Sequence, residues 1–218
     1  MRRQRNNMGF GLLFVGYATL LFFKVLPPLM LLGAYLMYKG LAKLSAYGKS
    51  FKKAADTAAF LGIYHAVYTV LWIVTAVGIF DGLFTSKLFI LCDDIVYYGL
   101  LLAFHIFLYG GIFEISKFCG YDKGIKRVYM SRVLMAMFYA VAVINLPVSY
   151  LGIASYIPLA HFICQIVWII YTVIFVYGCY MRIATEEIIE EEEKKIAEYD
   201  AKYGYKINLN KKKKQQRK

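Results

Sequence analysis

The sequence predicts an all-α, polytopic integral membrane protein: a helix bundle made of a short N-terminal hairpin and four spans, with both termini in the cytoplasm. Of its 218 residues, 60% are hydrophobic, whereas soluble domains contain about 45–50%. Continuous apolar runs of about 20 residues recur, which is the length of a membrane-spanning helix and not the alternation of a barrel strand. Lys and Arg concentrate between alternate runs, as they do in cytoplasmic loops.

The first apolar stretch, residues 9–44, is interrupted by Lys24 and by the pair Pro27–Pro28. A single helix here would place a charge and a helix break inside the hydrocarbon. Two helices avoid both problems, because prolines suit the first turn of a helix. We therefore predict a hairpin with arms Gly9–Phe23 and Pro27 to Leu44. The first arm is about 22 Å long, so the hairpin either crosses a thinned bilayer or is re-entrant.

Four longer apolar runs follow the hairpin and are predicted to be spans. Each is close to the roughly 20 residues that cross a bilayer. They are Ala58–Phe80, Leu88–Phe113, Val133–Leu151 and Pro158–Met181. Residues 58–181 are accordingly expected to form a four-span transmembrane bundle.

Both ends of the chain are charged. Residues 1–8 are a basic segment, expected in the cytoplasm. Residues 182–205 carry Glu followed by Lys at four-residue spacing, which favours a charged cytoplasmic helix. Residues 206–218 contain the run KKKKQQRK and are predicted to be a disordered basic tail that is attracted to anionic lipid.

The distribution of basic residues sets the predicted orientation. The N-terminus holds three Arg and residues 39–53 hold five Lys, so the hairpin is needed to keep both on the cytoplasmic side. With the hairpin in place, 24 of the 26 Lys and Arg residues fall in cytoplasmic segments. Lys24 and Lys87 are left outside.

The second arm and the loop after it carry a recognisable pattern. A Leu-Pro turn precedes a helix with Gly and Tyr, which ends in Gly-Leu and Leu-Ser before a Lys-rich loop. The residues that carry the pattern are Leu26, Pro27, Gly33, Tyr35, Gly40, Leu41, Leu44 and Ser45. This stretch, about a fifth of the chain, resembles the N-terminal hairpin of uncharacterised polytopic membrane proteins of Gram-positive bacteria. In those proteins an acid often follows the turn proline, where this chain has Pro28. The resemblance implies a bacterial cytoplasmic (inner) membrane and carries no activity with it.

Polar side chains at membrane depth are costly, so each is a candidate for function. In the predicted orientation a first group lies near the outer ends of the spans: Asp93, Asp94, Asn145, His161 and Gln165. If these residues converge, they form an outward-facing site for a cation, a proton or a polar ligand. The alternative is that the aspartates are interfacial, because two adjacent residues of a helix point in different directions.

A second group, His65 and His105, is expected at matched depth nearer the inner side, on consecutive helices. The two imidazoles could share a proton or a metal; alternatively, they are buried neutral side chains bonded to Tyr hydroxyls or to carbonyls. Two ligands fall short of a zinc site, and the four Cys have no metal-binding spacing. We therefore predict neither a metal nor a cofactor.

The sequence contains no GxSxG, HExxH, Walker A or dinucleotide-binding motif, which weighs against an enzyme. It favours a non-catalytic accessory or interaction component of the bilayer, acting with a membrane partner or as a homo-oligomer. The alternative is a small transporter or channel subunit that uses the outer polar group. A third and less favoured alternative is a lipid-modifying enzyme that uses the same acids with a metal. The formal charge of +12 is attributed to membrane topology and lipid contact, not to specific nucleic-acid binding.

Overall fold

A computed structural model describes residues 8–19, 26–79, 82–152, 156–182 and 197–198 of the chain. Short 3-10 turns at Ser45–Tyr47 and Leu83–Thr85 join some of its helices. The described residues form the helices α1 (Met8–Ala18), α2 (Pro27–Leu44), α3 (Lys49–Ala76), α4 (Lys87–Phe118), α5 (Asp122–Leu151) and α6 (Ile157–Arg182).

Met8–Ile183 folds as one compact unit, so the hairpin stretch and the four longer helices belong to the same body. The second unit consists of Met1–Asn7 and Ala184–Lys218, and its described part, residues 197–198, is helical. Four predicted features lie outside the described residues: the basic N-terminus that precedes Met8, the residue Lys24, most of the predicted charged helix, and the basic tail.

Helix boundaries follow the sequence where prolines or long apolar runs define them. α2 begins at Pro27, as expected, with proline in its first turn. α3 and α5, however, begin at Lys49 and Asp122, well before the predicted starts at Ala58 and Val133. The added turns contain good helix formers, Lys and Ala in α3 and Lys and Arg in α5, so these segments extend the helices where a loop was expected.

α1 and α2 pack antiparallel with their backbones in contact. A Cβ added at Gly16 would lie 2.6 Å from the Gly33 carbonyl oxygen, and one added at Gly40 would lie 2.5 Å from that of Gly9. The two glycines of each helix are seven residues apart, which is about two helical turns, so they lie on one face. Any larger side chain at these positions would push the helices apart.

The six helices form a closed ring in which each helix packs against the next and α6 packs against α1. Contacts along the interfaces show that neighbouring helices run antiparallel. Between α3 and α4, for example, Ser50 contacts Glu114 while Tyr64 contacts Asp93. The start of α1 and the end of α6 consequently lie at the same end of the ring.

Charge is segregated between the two ends of this ring. The basic end comprises the ends of α2, α4 and α6 and the starts of α1, α3 and α5. Its described basic residues are Lys39, Lys43, Lys49, Lys52, Lys53, Lys117, Lys123, Lys126, Arg127, Arg132 and Arg182. Of the basic residues that the structure describes, Lys87 alone lies at the opposite end.

Four of the helices, α3, α4, α5 and α6, are long and apolar enough to cross a membrane, and α1 is a shorter apolar helix. The outer surface of α3 shows this apolar character. Phe60, Ile63, Val67 and Val70 are all exposed and recur every three or four residues, so they form an apolar stripe that faces away from the ring.

Candidate functional site

The interior of the ring contains a hydrogen-bonded histidine. His105 Nε2 lies 2.5 Å from the hydroxyl oxygen of Tyr17, which α1 contributes, and its Nδ1 lies 2.6 Å from the Leu101 carbonyl oxygen. A carbonyl oxygen only accepts hydrogen bonds, so we assign the ring proton to Nδ1, and the Tyr17 hydroxyl then donates to Nε2. Both side chains are fully buried.

A second hydrogen-bonded chain lies beside it and joins α4 to α6. Trp168 Nε1 donates to the Tyr109 hydroxyl at 2.9 Å, which lies 2.7 Å from Thr172 Oγ1. Thr172 in turn donates its own proton to the Trp168 carbonyl oxygen at 3.0 Å. Because a hydroxyl has one hydrogen, Tyr109 must be the donor to Thr172. The direction of every bond in this chain is therefore defined.

These two chains form one buried network, made of Tyr17, His105, Tyr109, Trp168 and Thr172. Their rings are in contact, since the His105 and Trp168 centroids are 4.3 Å apart. Phe138 of α5 stacks on Trp168 with a centroid distance of 4.8 Å. The interior at this level is thus occupied by large, fully buried side chains whose polar atoms bond to one another.

The two aspartates of the predicted outer group point to different sides of α4. Tyr64 on α3 donates its hydroxyl hydrogen to Asp93 Oδ1 at 2.6 Å. Asp94 instead lines a cavity of about 50 Å³ towards α5, together with Lys87 and Ser149. Asp93 and Asp94 therefore do not share a site.

The other three residues of that group are also divided. Asn145 accepts a hydrogen bond from Ser149 of its own helix at 3.2 Å. His161 and Gln165 face the interior of the ring and are 7% and 5% exposed. Among the described residues, no hydrogen-bond partner reaches the Nε2 atom of either one. His161 lies edge-on to Tyr98, which follows Asp94 by one turn of α4, at a centroid distance of 5.5 Å, and Gln165 follows His161 on the same face of α6. Asp93 is the member of the group that points to another side of α4.

The predicted inner pair does not come together. His65 packs against the rings of Tyr64 and Tyr97, with centroid distances of 5.0 and 5.9 Å. Tyr97 precedes His105 by eight residues on α4, a separation of about 12 Å along the helix. The surroundings of His105 match the alternative interpretation, in which it bonds to a Tyr hydroxyl and a carbonyl.

Several residues that were not predicted from the sequence form the buried network and the surroundings of Asp93. In the buried network these are Tyr17, Tyr109, Trp168 and Thr172, and near Asp93 they are Tyr64 and Tyr68. One signal was available: Tyr109 follows His105 by four residues, as Thr172 follows Trp168, and residues four apart share a helix face. That spacing identifies polar faces on α4 and α6 but not their partners.

In the part of the chain that the structure describes, no group of three or more His, Cys, Asp or Glu side chains is arranged to hold a metal ion. Comparison with protein-family models, with curated proteins and with solved structures finds no match for this chain. The site must therefore be interpreted from its own chemistry.

Proposed function

We propose that this chain is a multi-pass integral protein of a bacterial cytoplasmic membrane that acts as a non-catalytic accessory or interaction component. The observation that carries the proposal is the inside-out arrangement of the ring. The five side chains of the buried network bond to one another at the centre, whereas the outward faces of the ring are apolar. In water such a surface would drive aggregation, but in a bilayer it faces lipid.

Charge segregation supports an orientation with the basic end in the cytoplasm. In that orientation the segments before α1 and after α6 both emerge into the cytoplasm. The basic tail, residues 206–218, would then lie near the inner leaflet, where anionic lipid attracts each Lys or Arg with about 1 kcal/mol.

The filled interior favours an accessory role over that of a conduit. A single copy presents stacked Phe138 and Trp168 where a pore would need space, and the buried network uses its own donors and acceptors. The outward apolar faces remain for contact with lipid, a membrane partner or a second copy of the chain. The alternative, a small transporter or channel subunit, has its support in the Asp94 cavity and the nearby His161.

The orientation is tested by fusing alkaline phosphatase or green fluorescent protein after Ser45, Ser86 and Asp122 in a bacterial host. We expect phosphatase activity at Ser86 and fluorescence at the other two sites, because fluorescent protein folds in the cytoplasm. An active phosphatase at Ser45 would contradict both the orientation and the hairpin.

The accessory role is tested by proton and cation flux in liposomes containing the purified protein. We expect no flux above that of protein-free liposomes. Flux that is present in the wild type and is abolished by Asp94→Asn, but not by Asp93→Asn, would replace the accessory role by the transporter.

A further inference from the structure

A groove between α3 and α4 combines an apolar wall, aromatic rings and one carboxylate. It has a volume of about 210 Å³ and opens on the outside of the ring. Its lining residues are Tyr64, Val67, Tyr68, Leu71, Phe89, Cys92, Asp93 and Val96. The groove lies near the end of the ring opposite the basic one, since Asp93 is in the second turn of α4.

Four aromatic rings form a connected row beside this groove, and all of them except Phe84 belong to its lining. The Tyr64 and Tyr68 centroids are 6.0 Å apart, and Tyr68 lies edge-on to Phe84 at 5.3 Å. Phe84 meets Phe89 at a further 5.3 Å, again edge-on. Because each ring contacts the next, the row is a preorganised aromatic wall.

The carboxylate is held at one side of this wall. The Tyr64 hydroxyl donates to Asp93 Oδ1 at 2.6 Å, which fixes the position of the acid next to the aromatic row. Tyrosine faces attract cations through the ring quadrupole, and a carboxylate attracts them by charge. Both attractions are stronger in an apolar setting than in water.

We propose that the α3–α4 groove binds a hydrophobic organic cation, an alkyl- or arylammonium, with its charged centre between Asp93 and the tyrosine rings and its apolar part along the groove. A lipid acyl chain would gain nothing from the carboxylate. A hard metal ion such as Ca²⁺ or Mg²⁺ requires about six oxygen ligands, whereas the lining of this groove is almost entirely apolar. Binding of such a cation is a property beyond the accessory role. It does not depend on membrane orientation, because it is measured in detergent.

Benzyltrimethylammonium is a suitable probe, with neopentylbenzene, its uncharged isostere, as the matched compound. The full chain is purified in a non-ionic detergent, and binding is measured by equilibrium dialysis. We expect saturable binding of the cation, which Asp93→Asn weakens by about tenfold or more because the charge attraction is lost. Asp94→Asn is the matched control: it removes the same charge from the adjacent residue, which faces the other cavity, and should change the Kd by no more than about twofold.

The aromatic contribution is tested at Tyr68. Tyr68→Phe keeps the ring and should retain affinity, whereas Tyr68→Leu should weaken binding by about threefold. Equal binding of neopentylbenzene, or equal affinity of the two Tyr68 variants, would show that the groove recognises apolar bulk and would overturn the proposal.

An independent readout covers the case in which Asp93→Asn fails to fold. Cys92 is exposed and lines the groove, while Cys119 is exposed beyond the other end of α4, about 40 Å away along the helix. In the wild type, benzyltrimethylammonium should slow maleimide labelling of Cys92 and leave that of Cys119 unchanged. Unchanged labelling of both cysteines at saturating probe would also contradict the proposal.

Discussion

Replacing Thr172 by valine removes one hydroxyl from the buried network and keeps the branched shape of the side chain. Two hydrogen bonds disappear: the one that Thr172 accepts from Tyr109 and the one that it donates to the Trp168 carbonyl. Thr69→Val is the matched control. Thr69 is also buried and donates to the carbonyl four residues earlier, that of His65, at 2.6 Å. The difference between the two variants isolates the bond to Tyr109.

The size of this difference follows from the donor that is left behind. In Thr172→Val the Tyr109 hydroxyl keeps the bond that it accepts from Trp168 but loses the acceptor for its own hydrogen. An unsatisfied buried donor costs about 1–3 kcal/mol, although hydrogen bonds between helices in membranes average about 0.6 kcal/mol. Ser131 is fully buried near Tyr109 and offers a second acceptor. We therefore expect Thr172→Val to be about 1 kcal/mol less stable than Thr69→Val.

The assay is reversible unfolding in mixed micelles with increasing dodecyl sulfate, followed by circular dichroism. Both variants are compared with the wild type, and the free energies of unfolding are extrapolated in the same way. A difference below about 0.3 kcal/mol, which is within the error of additivity, would refute the assigned direction of the bonds around Tyr109 if it persists when both variants also carry Ser131→Ala. Adding Ser131→Ala to Thr172→Val should increase the loss, because the second acceptor is then removed as well.

Two further outcomes follow from the packing. Gly16→Ala should destabilise the protein by about 1–3 kcal/mol in the same assay, because its Cβ would meet the Gly33 backbone at 2.6 Å. Gly99→Ala is the control and should be neutral or stabilising, because a Cβ added there would have nothing within 4 Å. Equal effects of the two substitutions would argue against the close α1–α2 contact. In folded protein, maleimide should label exposed Cys119 but leave buried Cys179 unlabelled until dodecyl sulfate unfolds the chain, and rapid labelling of Cys179 would contradict the packing of α6.

The features that the sequence predicts well are local. Long apolar runs identify four helices, and Pro27 identifies the start of α2, because span length and proline geometry depend on neighbouring residues alone. The starts of α3 and α5 are not visible as apolar runs, since their first turns are basic and lie outside the hydrophobic stretch. Helix propensity, not hydropathy, is the signal that extends them to Lys49 and Asp122.

The site depends on pairings that no local pattern contains. His105 bonds to Tyr17, which lies 88 residues earlier in the chain. The sequence places His65 and His105 on consecutive helices, but the rotation of each helix about its axis decides whether their side chains meet. The divergence of Asp93 and Asp94 follows from helix geometry alone, whereas the choice of Tyr64 as the partner of Asp93 requires the packing of α3 against α4.

The close approach of α1 and α2 does not use the spacing of four residues that is usual in membrane helix pairs. Here each helix uses glycines seven residues apart, Gly9 with Gly16 and Gly33 with Gly40, and the antiparallel arrangement brings the two sets together. Either spacing places small residues on one face, because both are close to whole numbers of helical turns.

Closure of the ring through α1 and α6 has a consequence for biosynthesis. α1 leaves the ribosome before α2 to α5 and its neighbour α6 leaves after them, so Tyr17 and His105 remain uncovered on one side until α6 has been made. A chain that stops after α5 lacks Trp168 and Thr172, so the Tyr109 hydroxyl has neither its donor nor its acceptor on α6. α6 thus closes the ring and covers the buried network, and the bundle cannot reach its final packing before α6 is present.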